Sequence, residues 1–202
     1  MTAAPLGEAI RVETLTGDGL ARAVEPLGAL RIAVFRAFPY LYDGDAAYER
    51  DYLAAYAASP GAVVIGAYDG DALIGAATAA PMEDHAAAFA APFESRGFDL
   101  KTIFYCGESV LLPAYRGRGL GHEFFNRREA HGRALGRTHC AFCAVIRPDD
   151  HPRRPADHAP LDPFWRKRGY APLDGVTAEM RWKDIGAAQE TAKPMQFWMK
   201  RL

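Results

Sequence analysis

The sequence predicts a mixed α/β fold in which one central sheet carries helices on both faces. Three features support this prediction: a hairpin around Asp69-Gly70, a strand–helix–strand unit within residues 102–146, and two strand-like runs near the end of the chain. A hairpin pairs its strands antiparallel, whereas a strand–helix–strand unit forms a parallel pair. The sheet must therefore contain both kinds of pairing.

The first third of the chain is predicted to contain one strand and two helices. Residues 9–15 are rich in strand-forming side chains. A helix follows with apolar residues at three- and four-residue spacing, and we expect it to end at Pro39. A second helix begins after Asp45, a residue suited to cap it. One face of this helix carries three tyrosines that we expect to point into the core: Tyr48, Tyr52 and Tyr56.

The remaining elements follow in chain order. The hairpin at Asp69-Gly70 joins two strands within residues 62–78, because this dipeptide favours a tight turn. The patterns after it predict a short helix within 83–93, a long strand at 102–112, a helix at about 119–135, a strand at 139–146, a short helix in LDPFWRKRG, and strands in TAEMRW and PMQFWMKRL. We expect residues 1–202 to form a single domain, with residues 1–8 flexible.

Composition excludes several classes of function. Lys+Arg 24 against Asp+Glu 25 gives a net charge of −1, which is not typical of a protein that binds nucleic acid or a membrane surface. No apolar run is long enough to span a bilayer, and the N-terminus lacks the features of a signal peptide. The three cysteines, Cys106, Cys140 and Cys143, do not form a disulfide framework. We therefore expect a cytoplasmic protein with reduced thiols.

Three glycines lie where the long strand turns into the following helix. The first N–H groups of a helix have no intrahelical acceptor, and the helix dipole adds positive charge there. Without side chains at Gly117, Gly119 and Gly121, an anion can approach these amides, and Arg116 and Arg118 lie beside them. The pattern predicts a pyrophosphate site. It is neither a P-loop nor the G-x-G-x-x-G dinucleotide fingerprint.

The segment LLPAYRGRGLG, residues 111–121, resembles the acetyl-coenzyme-A loop of the GNAT N-acetyltransferases. That loop has the pattern apolar-x-Pro-x-x-Arg/Gln-Gly-x-Gly-Leu/Ile-Gly, and every specified position matches. PFWRKRGY is similar to the family's short helix and its Leu-Gly-Phe-like ending. The resemblance implies a mostly antiparallel mixed sheet of about six to seven strands. It also implies direct acetyl transfer from acetyl-CoA to a primary amine, in a ternary complex and without a covalent enzyme intermediate.

The resemblance also assigns the cofactor site. Backbone amides of the loop would hold the pyrophosphate, residues 110–112 would pair with the pantetheine arm, and the N–H of Leu111 would polarise the thioester carbonyl. The sheet would splay between this strand and residues 140–146 to admit the acetyl group. The residues implied in cofactor binding are Val110, Leu111, Leu112, Arg116, Gly117, Arg118, Gly119, Leu120, Gly121, His122 and Trp165.

Acetyl transfer needs a neutral amine, and a free alkyl amine has a pKa of about 10.4, so a base must remove a proton. Glu108 is the candidate base, because it lies on an otherwise apolar strand where an unpaired carboxylate is costly. The alternatives are that Glu108 reaches solvent or pairs with an arginine. The family's usual acid, a tyrosine, is replaced by Trp165, whose indole cannot serve as one. The acid is Tyr170, Cys143, Tyr105 or a water, or none is needed.

Other residues admit two interpretations each. Tyr40 and Tyr42 lie in a segment that forms the wall of the acceptor site in this family, but both could instead be core residues without a role in binding. Glu83, Asp84 and His85 could line the acceptor side.

Cys140 and Cys143 should point to opposite faces of a strand, so we expect no metal site. The acceptor is a small-molecule or protein amine, and the apolar PMQFWM tail could form a homodimer. The alternatives are an inactive acyl-CoA sensor, a protein-lysine acetyltransferase, and a nucleotide- or phosphate-binding module.

Overall fold

The structure, a computed structural model, describes residues 10–85 and 87–202. The expected flexibility of residues 1–8 and the predicted start of the first strand at Ala9 lie outside these ranges. No helix within the described ranges is both long and apolar enough to cross a bilayer.

In the part of the chain that the structure describes, seven strands form one sheet in the order β1-β2-β3-β4-β5-β7-β6. Only the β4–β5 pair is parallel, and every other neighbouring pair is antiparallel. The strands are β1 (Arg11–Leu15), β2 (Val63–Asp69), β3 (Ala72–Pro81), β4 (Ile103–Leu111), β5 (His139–Val145), β6 (Ala171–Trp182) and β7 (Thr191–Arg201). The predicted mixed, mostly antiparallel sheet is confirmed, including the hairpin at Asp69-Gly70.

Helices cover both faces of the sheet. They are α1 (Gly17–Phe35), α2 (Ala46–Ala58), α3 (Ala87–Glu94), α4 (Leu120–Ala134) and α5 (Asp162–Lys167). α1 and α2 pack on Val64, Ala76 and Val110 of one face, whereas α4 packs on Phe104 and Ile74 of the other. Each face thereby has its own apolar core.

The N-terminal helices differ from the prediction at two points. α1 ends at Phe35 rather than Pro39, because the residue before a proline disfavours helical conformation and the proline has no N–H. Asp45 caps α2 as predicted, accepting a 2.8 Å hydrogen bond from the Tyr48 amide.

The prediction that the tyrosines of α2 point into the core is correct for Tyr56, which is 3% exposed, and wrong for Tyr48, which is 45% exposed. Tyr48 stands at the first turn of α2, where it borders an open cavity instead of the core.

The apolar tail PMQFWM occupies a central position in the sheet. It belongs to β7, which pairs with β5 on one side and β6 on the other. Met195, Phe197 and Trp198 are buried by the chain itself. The expectation that this tail forms a dimer contact is therefore wrong, because its apolar side chains already belong to the core.

The parallel pair β4–β5 holds together at one end only. The two strands pair at three positions, from Ile103 with His139 to Tyr105 with Ala141. Beyond these positions β4 continues along β3 to Leu111, and β5 continues along β7 to Val145. The sheet thus splays between β4 and β5, as the resemblance implied.

Candidate active site

A β-bulge in β4 sets the direction of the Glu108 side chain. Ala77 pairs with Ser109 and Ala79 with Cys106, so Gly107 and Glu108 together oppose the single residue Thr78. The extra residue reverses the alternation of the strand. Cys106 packs toward α4, whereas Glu108 lies on the α1–α2 face of the sheet.

Arg128 stabilises the bulge from the α4 face. Its guanidinium donates to the carbonyl oxygens of Glu108 at 2.9 Å and Thr78 at 3.2 Å, and to the Ser109 hydroxyl at 2.8 Å. These bonds satisfy carbonyl groups at a point where the strand ladder is irregular, which a buried backbone requires. The buried Arg128 therefore helps to hold Glu108 in place through the main chain.

Glu108 belongs to a buried ion cluster. Arg31 of α1 lies 2.6 Å from Glu108 Oε2 and donates to Glu49 Oε2 of α2 at 2.5 Å. Tyr52 also donates to Glu108 Oε2, at 3.3 Å. Glu108 Oε1 is buried and has no hydrogen-bond partner among the described residues. Of the structural alternatives for Glu108, pairing with an arginine is correct and a solvent-exposed position is wrong, since the residue is 7% exposed.

The surroundings of Arg31 favour its charged form. Burial alone lowers the pKa of the Arg31 guanidinium, but Glu108, Tyr52 and Glu49 outweigh that effect and raise the pKa well above its usual value. Arg31 is therefore a permanent cation held between two carboxylates. The guanidinium also lies 4.3 Å from the centre of the Tyr52 ring, a cation–π contact.

Glu108 and Arg31 lie in the wall of a cavity of about 350 Å³ on the α1–α2 face. Nine aromatic side chains line the cavity: Phe35, Tyr40, Tyr42, Tyr48, Tyr52, Tyr56, Phe89, Tyr105 and Trp182. The sequence interpretation of Tyr40 and Tyr42 as pocket residues agrees with this position. Asp84 and His85 also line the cavity, whereas Glu83 binds Arg137 at 2.8 Å and does not.

His85 contributes a neutral imidazole to the cavity. Its ring packs edge-on against Tyr105, with 4.8 Å between ring centroids, and against Tyr56 at 5.5 Å. Burial lowers the pKa of His85 to about 4, although the carboxylates of Asp84, Glu108 and Glu83 act in the opposite direction. Nε2 of His85 is buried without a hydrogen-bond partner in the described part of the chain. The imidazole is thus uncharged near neutral pH and can accept a hydrogen bond.

Two of the candidate acids meet at the closed end of the splay. The Tyr105 hydroxyl and Cys143 Sγ are 3.1 Å apart, and both side chains line the cavity. Burial raises the pKa of the Cys143 thiol to about 12, with the Tyr105 hydrogen bond acting against it. Burial also raises the pKa of Tyr105 well above its usual value. Both groups therefore stay protonated at neutral pH.

Tyr170 lies on the other face of the sheet. Its hydroxyl donates to Glu129 Oε1 at 3.2 Å, and its ring packs on Phe125 and Phe142. It does not line the cavity that contains Glu108. The suggestion that Tyr170 is the acid is therefore inconsistent with its position, because a buried phenol bound to Glu129 on that face cannot reach the cavity.

Trp165 of α5 packs in the same apolar cluster as Tyr170. Its ring lies 4.9 Å from Phe142 and 5.1 Å from Trp198, measured between centroids. The side chain is partly buried, so one part of the indole remains accessible. Contact between Trp165 and a cofactor stays a prediction.

The glycine loop forms an open cradle at the start of α4. Gly117 and Gly119 have φ of +75° and +83°, a region that side-chain-bearing residues rarely adopt, and a Cβ on either would meet no atom within 4 Å. Gly119 caps α4, and its carbonyl accepts from His122. The amides of Leu120 and Gly121 have no backbone acceptor within the described ranges. Arg116 and Arg118 are exposed, and their guanidinium groups donate to the carbonyl oxygens of Leu111 at 3.3 Å and Ala114 at 3.2 Å.

The main chain of Leu111 faces the splay. Leu112 N–H donates to Ile74 of β3 at 3.0 Å, and successive residues of a strand direct their N–H groups to opposite neighbours. The N–H of Leu111 therefore points away from β3, toward the side where β5 has separated. Val110 is buried, and Leu111 and Leu112 are partly exposed at this edge.

The cysteines of β5 and two histidines of the loop after it, His151 and His158, lie in different surroundings. Cys140 packs in the α4-side core and Cys143 on the cavity side, as the strand spacing predicted. Phe38 lies between His151 and His158, with ring centroids 5.7 and 4.7 Å away. Across residues 10–85 and 87–202, no group of three or more His, Cys, Asp or Glu side chains is arranged to hold a metal ion.

Sequence reasoning missed the partners of Glu108. Arg31 follows Leu27 by four residues and precedes Val34 by three, so it lies on the apolar face of α1. A charged residue on that face signals a buried partner, since an unpaired charge would be too costly there. Nothing in the sequence identifies Glu49 as that partner, because it comes from a separate helix.

The sheet thus splays beside a glycine-rich helix start, and a carboxylate lines the neighbouring cavity. The chain belongs to the acetyltransferase (GNAT) family, whose sequence profile matches residues 29–156. No protein of curated function matches the chain.

Solved structures of the family share the fold across nearly the whole chain. yncA from Salmonella typhimurium, solved with its cofactor acetyl-CoA, has a TM-score of 0.61 at 14% identity, covering 96% of this chain and 95% of that chain. A ribosomal-protein-alanine N-acetyltransferase from Brucella melitensis has a TM-score of 0.59 at 14% identity, covering 95% and 99%. The paiA N-acetyltransferase from Thermoplasma acidophilum, in complex with coenzyme A, has a TM-score of 0.53 at 11% identity, covering 96% and 100%. Identities this low show a common fold.

Proposed function

We propose that this protein is an acetyl-CoA-dependent N-acetyltransferase that acetylates a primary amine by direct attack in a ternary complex. One observation carries the proposal: a buried carboxylate oxygen, Glu108 Oε1, has no partner among the described residues and belongs to a residue lining a cavity beside the β4–β5 splay. The cavity suits an amine, and the splay leads to the glycine loop.

The residues of the loop fit the diphosphate of coenzyme A. The unbonded amides of Leu120 and Gly121 supply donors at a helix N-terminus, and the bare Cα positions of Gly117 and Gly119 leave room for the phosphates. Arg116, Arg118 and His122 are exposed residues of the same loop and helix start. Residues 110–112 offer a strand edge for the pantetheine arm. Acetyl-CoA, bound there, would supply the activated acetyl thioester.

The chemical step requires three tasks of the protein. Glu108 Oε1 accepts a proton from the acceptor ammonium, directly or through a water, and leaves a neutral amine. The Leu111 N–H donates to the carbonyl oxygen as negative charge develops on it. The C–N bond forms, the C–S bond breaks, and the second proton of the attacking nitrogen passes to the departing thiolate, directly or through a water. A thiol has a pKa of about 8.5, so the thiolate needs no strong acid, and the Tyr105–Cys143 pair in the cavity wall stabilises it as a hydrogen-bond donor that keeps its own protons.

The proposal also includes the domain organisation, the location and the partners of the protein. Residues 1–202 act as one domain in the cytoplasm, where three buried free thiols are expected to stay reduced. The partners are acetyl-CoA and an amine, with no role for nucleic acid or membrane. A homodimer remains a prediction from the family resemblance, with no contact surface assigned.

The test is steady-state release of free thiol from acetyl-CoA with a panel of amines. Glu108→Gln keeps the shape but removes the charge, so we expect kcat to fall by roughly 10² to 10⁴ with the KM for acetyl-CoA unchanged. Tyr170→Phe is the control, because it removes a hydroxyl outside the cavity and should retain turnover. Full activity in Glu108→Gln would contradict the assigned base.

Assays on the same purified protein distinguish the alternative functions. An inactive sensor would bind acetyl-CoA but release no thiol with any amine. A nucleotide-binding module would be stabilised by ATP or NAD rather than by acetyl-CoA or coenzyme A in a thermal-shift assay, because a ligand specific for the folded state raises its melting temperature.

A further inference from the structure

We propose that the acceptor is a compact arylalkylamine: one primary ammonium group on a short chain attached to an aromatic body. This inference rests on the proposed acetyltransferase function and specifies the substrate class of the same site. It follows from the charge of the buried cluster, the composition of the wall and the size of the cavity.

The buried cluster lacks a cation. Arg31 carries one positive charge, whereas Glu49 and Glu108, which both bind it, carry two negative charges. Arg128, from the opposite face, donates to main-chain carbonyls and a hydroxyl rather than to either carboxylate. Glu49 Oε1 and Glu108 Oε1 are buried without partners in the described residues. Buried carboxylates need a compensating charge, and an ammonium group bound at Glu108 Oε1 supplies it.

The rest of the wall selects an aromatic body. Tyr56 and Tyr105 flank His85, and Phe89 packs edge-on against Tyr105 with 5.2 Å between centroids. Such surfaces favour another ring in an edge-to-face or offset contact. The aromatic faces also attract the ammonium group itself through cation–π interaction. An apolar amine with one ring therefore satisfies both parts of the cavity.

Size argues against a simple lysine side chain. A cavity of about 350 Å³ corresponds to roughly a dozen water molecules at about 30 Å³ each. Space for roughly a dozen water-sized groups exceeds the five non-hydrogen atoms of a lysine side chain, which would leave much of the cavity empty.

Charge at the mouth argues against a polyamine or aminoglycoside. The exposed charged residues of the lining are Asp84, Glu179 and Arg181, which carry both signs. Asp84 already accepts a 2.5 Å hydrogen bond from Ser59. The cavity thus presents one buried carboxylate site, enough for a single ammonium group.

The experiment compares kcat/KM at saturating acetyl-CoA for tryptamine and phenethylamine with that for spermidine, kanamycin and Nα-acetyl-lysine methylamide. We expect the two arylalkylamines to exceed the others by at least tenfold. Thermal shift with tryptamine and with its neutral analogue tryptophol, in the presence of coenzyme A, tests binding without chemistry. Tryptamine should raise the melting temperature, and tryptophol at equal concentration should raise it less.

A wall variant tests where the ring binds. Tyr48→Ala removes an aromatic cavity residue that is 45% exposed, so the fold should tolerate it. We expect kcat/KM for tryptamine to fall about 5- to 10-fold, as for loss of one aromatic contact, with the KM for acetyl-CoA unchanged. Leu135→Ala, at an exposed apolar residue outside the cavity, should leave both values unchanged.

The two proposals fail in different ways. Preference for spermidine, kanamycin or the lysine derivative, or no shift with tryptamine while acetyl-CoA still binds, would overturn the arylalkylamine inference and leave the acetyltransferase intact. Absence of acetyl-CoA binding, or of thiol release with every amine, would overturn the proposed function itself.

Discussion

The carboxylate of Glu108 lies 2.6 Å from the guanidinium of Arg31, in an ion pair whose side chains are only 4% and 9% exposed. The pair holds Oε2 and leaves Oε1 without a partner in the described residues. One side chain thus has a structural and a proposed chemical role, divided between its two oxygens. The orientation of the proposed base depends on α1, a helix that is separate from the glycine loop.

Arg31→Met tests the structural role of this pair. The change leaves Glu49 and Glu108 buried without their cation, and breaking a buried pair in this way typically costs about 3–5 kcal/mol. We expect that loss in the free energy of unfolding, measured with urea. Arg11→Met is the control, because its pair with Glu13 is exposed and should contribute about 0–1 kcal/mol. Equal losses in the two variants would contradict the importance of the buried cluster.

Gly107→Ala tests the bulge that directs Glu108. A Cβ at this position would overlap the Tyr56 hydroxyl and approach the Thr78 hydroxyl to 2.6 Å, so Tyr56 must shift into the cavity. We expect a loss of about 1–3 kcal/mol of stability and a raised KM for the amine, with the KM for acetyl-CoA unchanged. Gly19→Ala is the control, since its Cβ would meet the Leu15 side chain at an ordinary 3.7 Å. An unchanged amine KM in Gly107→Ala would count against this location of the acceptor.

Gly119→Glu tests the phosphate cradle. The new carboxylate would occupy the helix N-terminus and repel the diphosphate, so we expect acetyl-CoA affinity to fall at least about 100-fold in calorimetry, or about 2.7 kcal/mol. Gly136→Glu is a matched control at the other end of α4: both glycines have positive φ, +83° and +73°, and open space around a Cβ. The two variants share the backbone strain of about 1–2 kcal/mol, but only the first should lose the ligand. Similar affinities in both would refute the site.

The sequence was informative wherever a feature depends on neighbouring residues. The Asp69-Gly70 hairpin, the Asp45 cap and the turn into α4 at Gly119 were all predicted, because turn and cap preferences act over a few residues. The glycine loop could be predicted from the sequence for the same reason. The family resemblance supplied the splay between β4 and β5, which no local pattern indicates.

The direction of Glu108 could not be predicted from the sequence. Strict alternation from Cys106 would have placed it on the α4 face, but the bulge opposite Thr78 reverses the alternation. The cation that pairs with it comes from Arg31, far away in the sequence, and Tyr170 ends on the opposite face for similar reasons of tertiary packing. Long-range pairing decides these features, and a single sequence does not record it.

His85→Gln tests the buried imidazole through its effect on stability. Burial lowers the pKa of His85 from 6.5 to about 4 in the folded protein, so the unfolded chain binds a proton first as the pH falls. Stability linked to His85 is therefore fully present above pH 6.5 and is lost between about pH 6.5 and 4, by about 3 kcal/mol at most. In urea unfolding at pH 7.5 and at pH 4.5, the stability of wild type should fall more than that of His85→Gln, because carboxylate titrations affect both proteins alike and cancel in the difference. A difference in free energy of unfolding that does not change with pH would show that His85 is not buried as a neutral group.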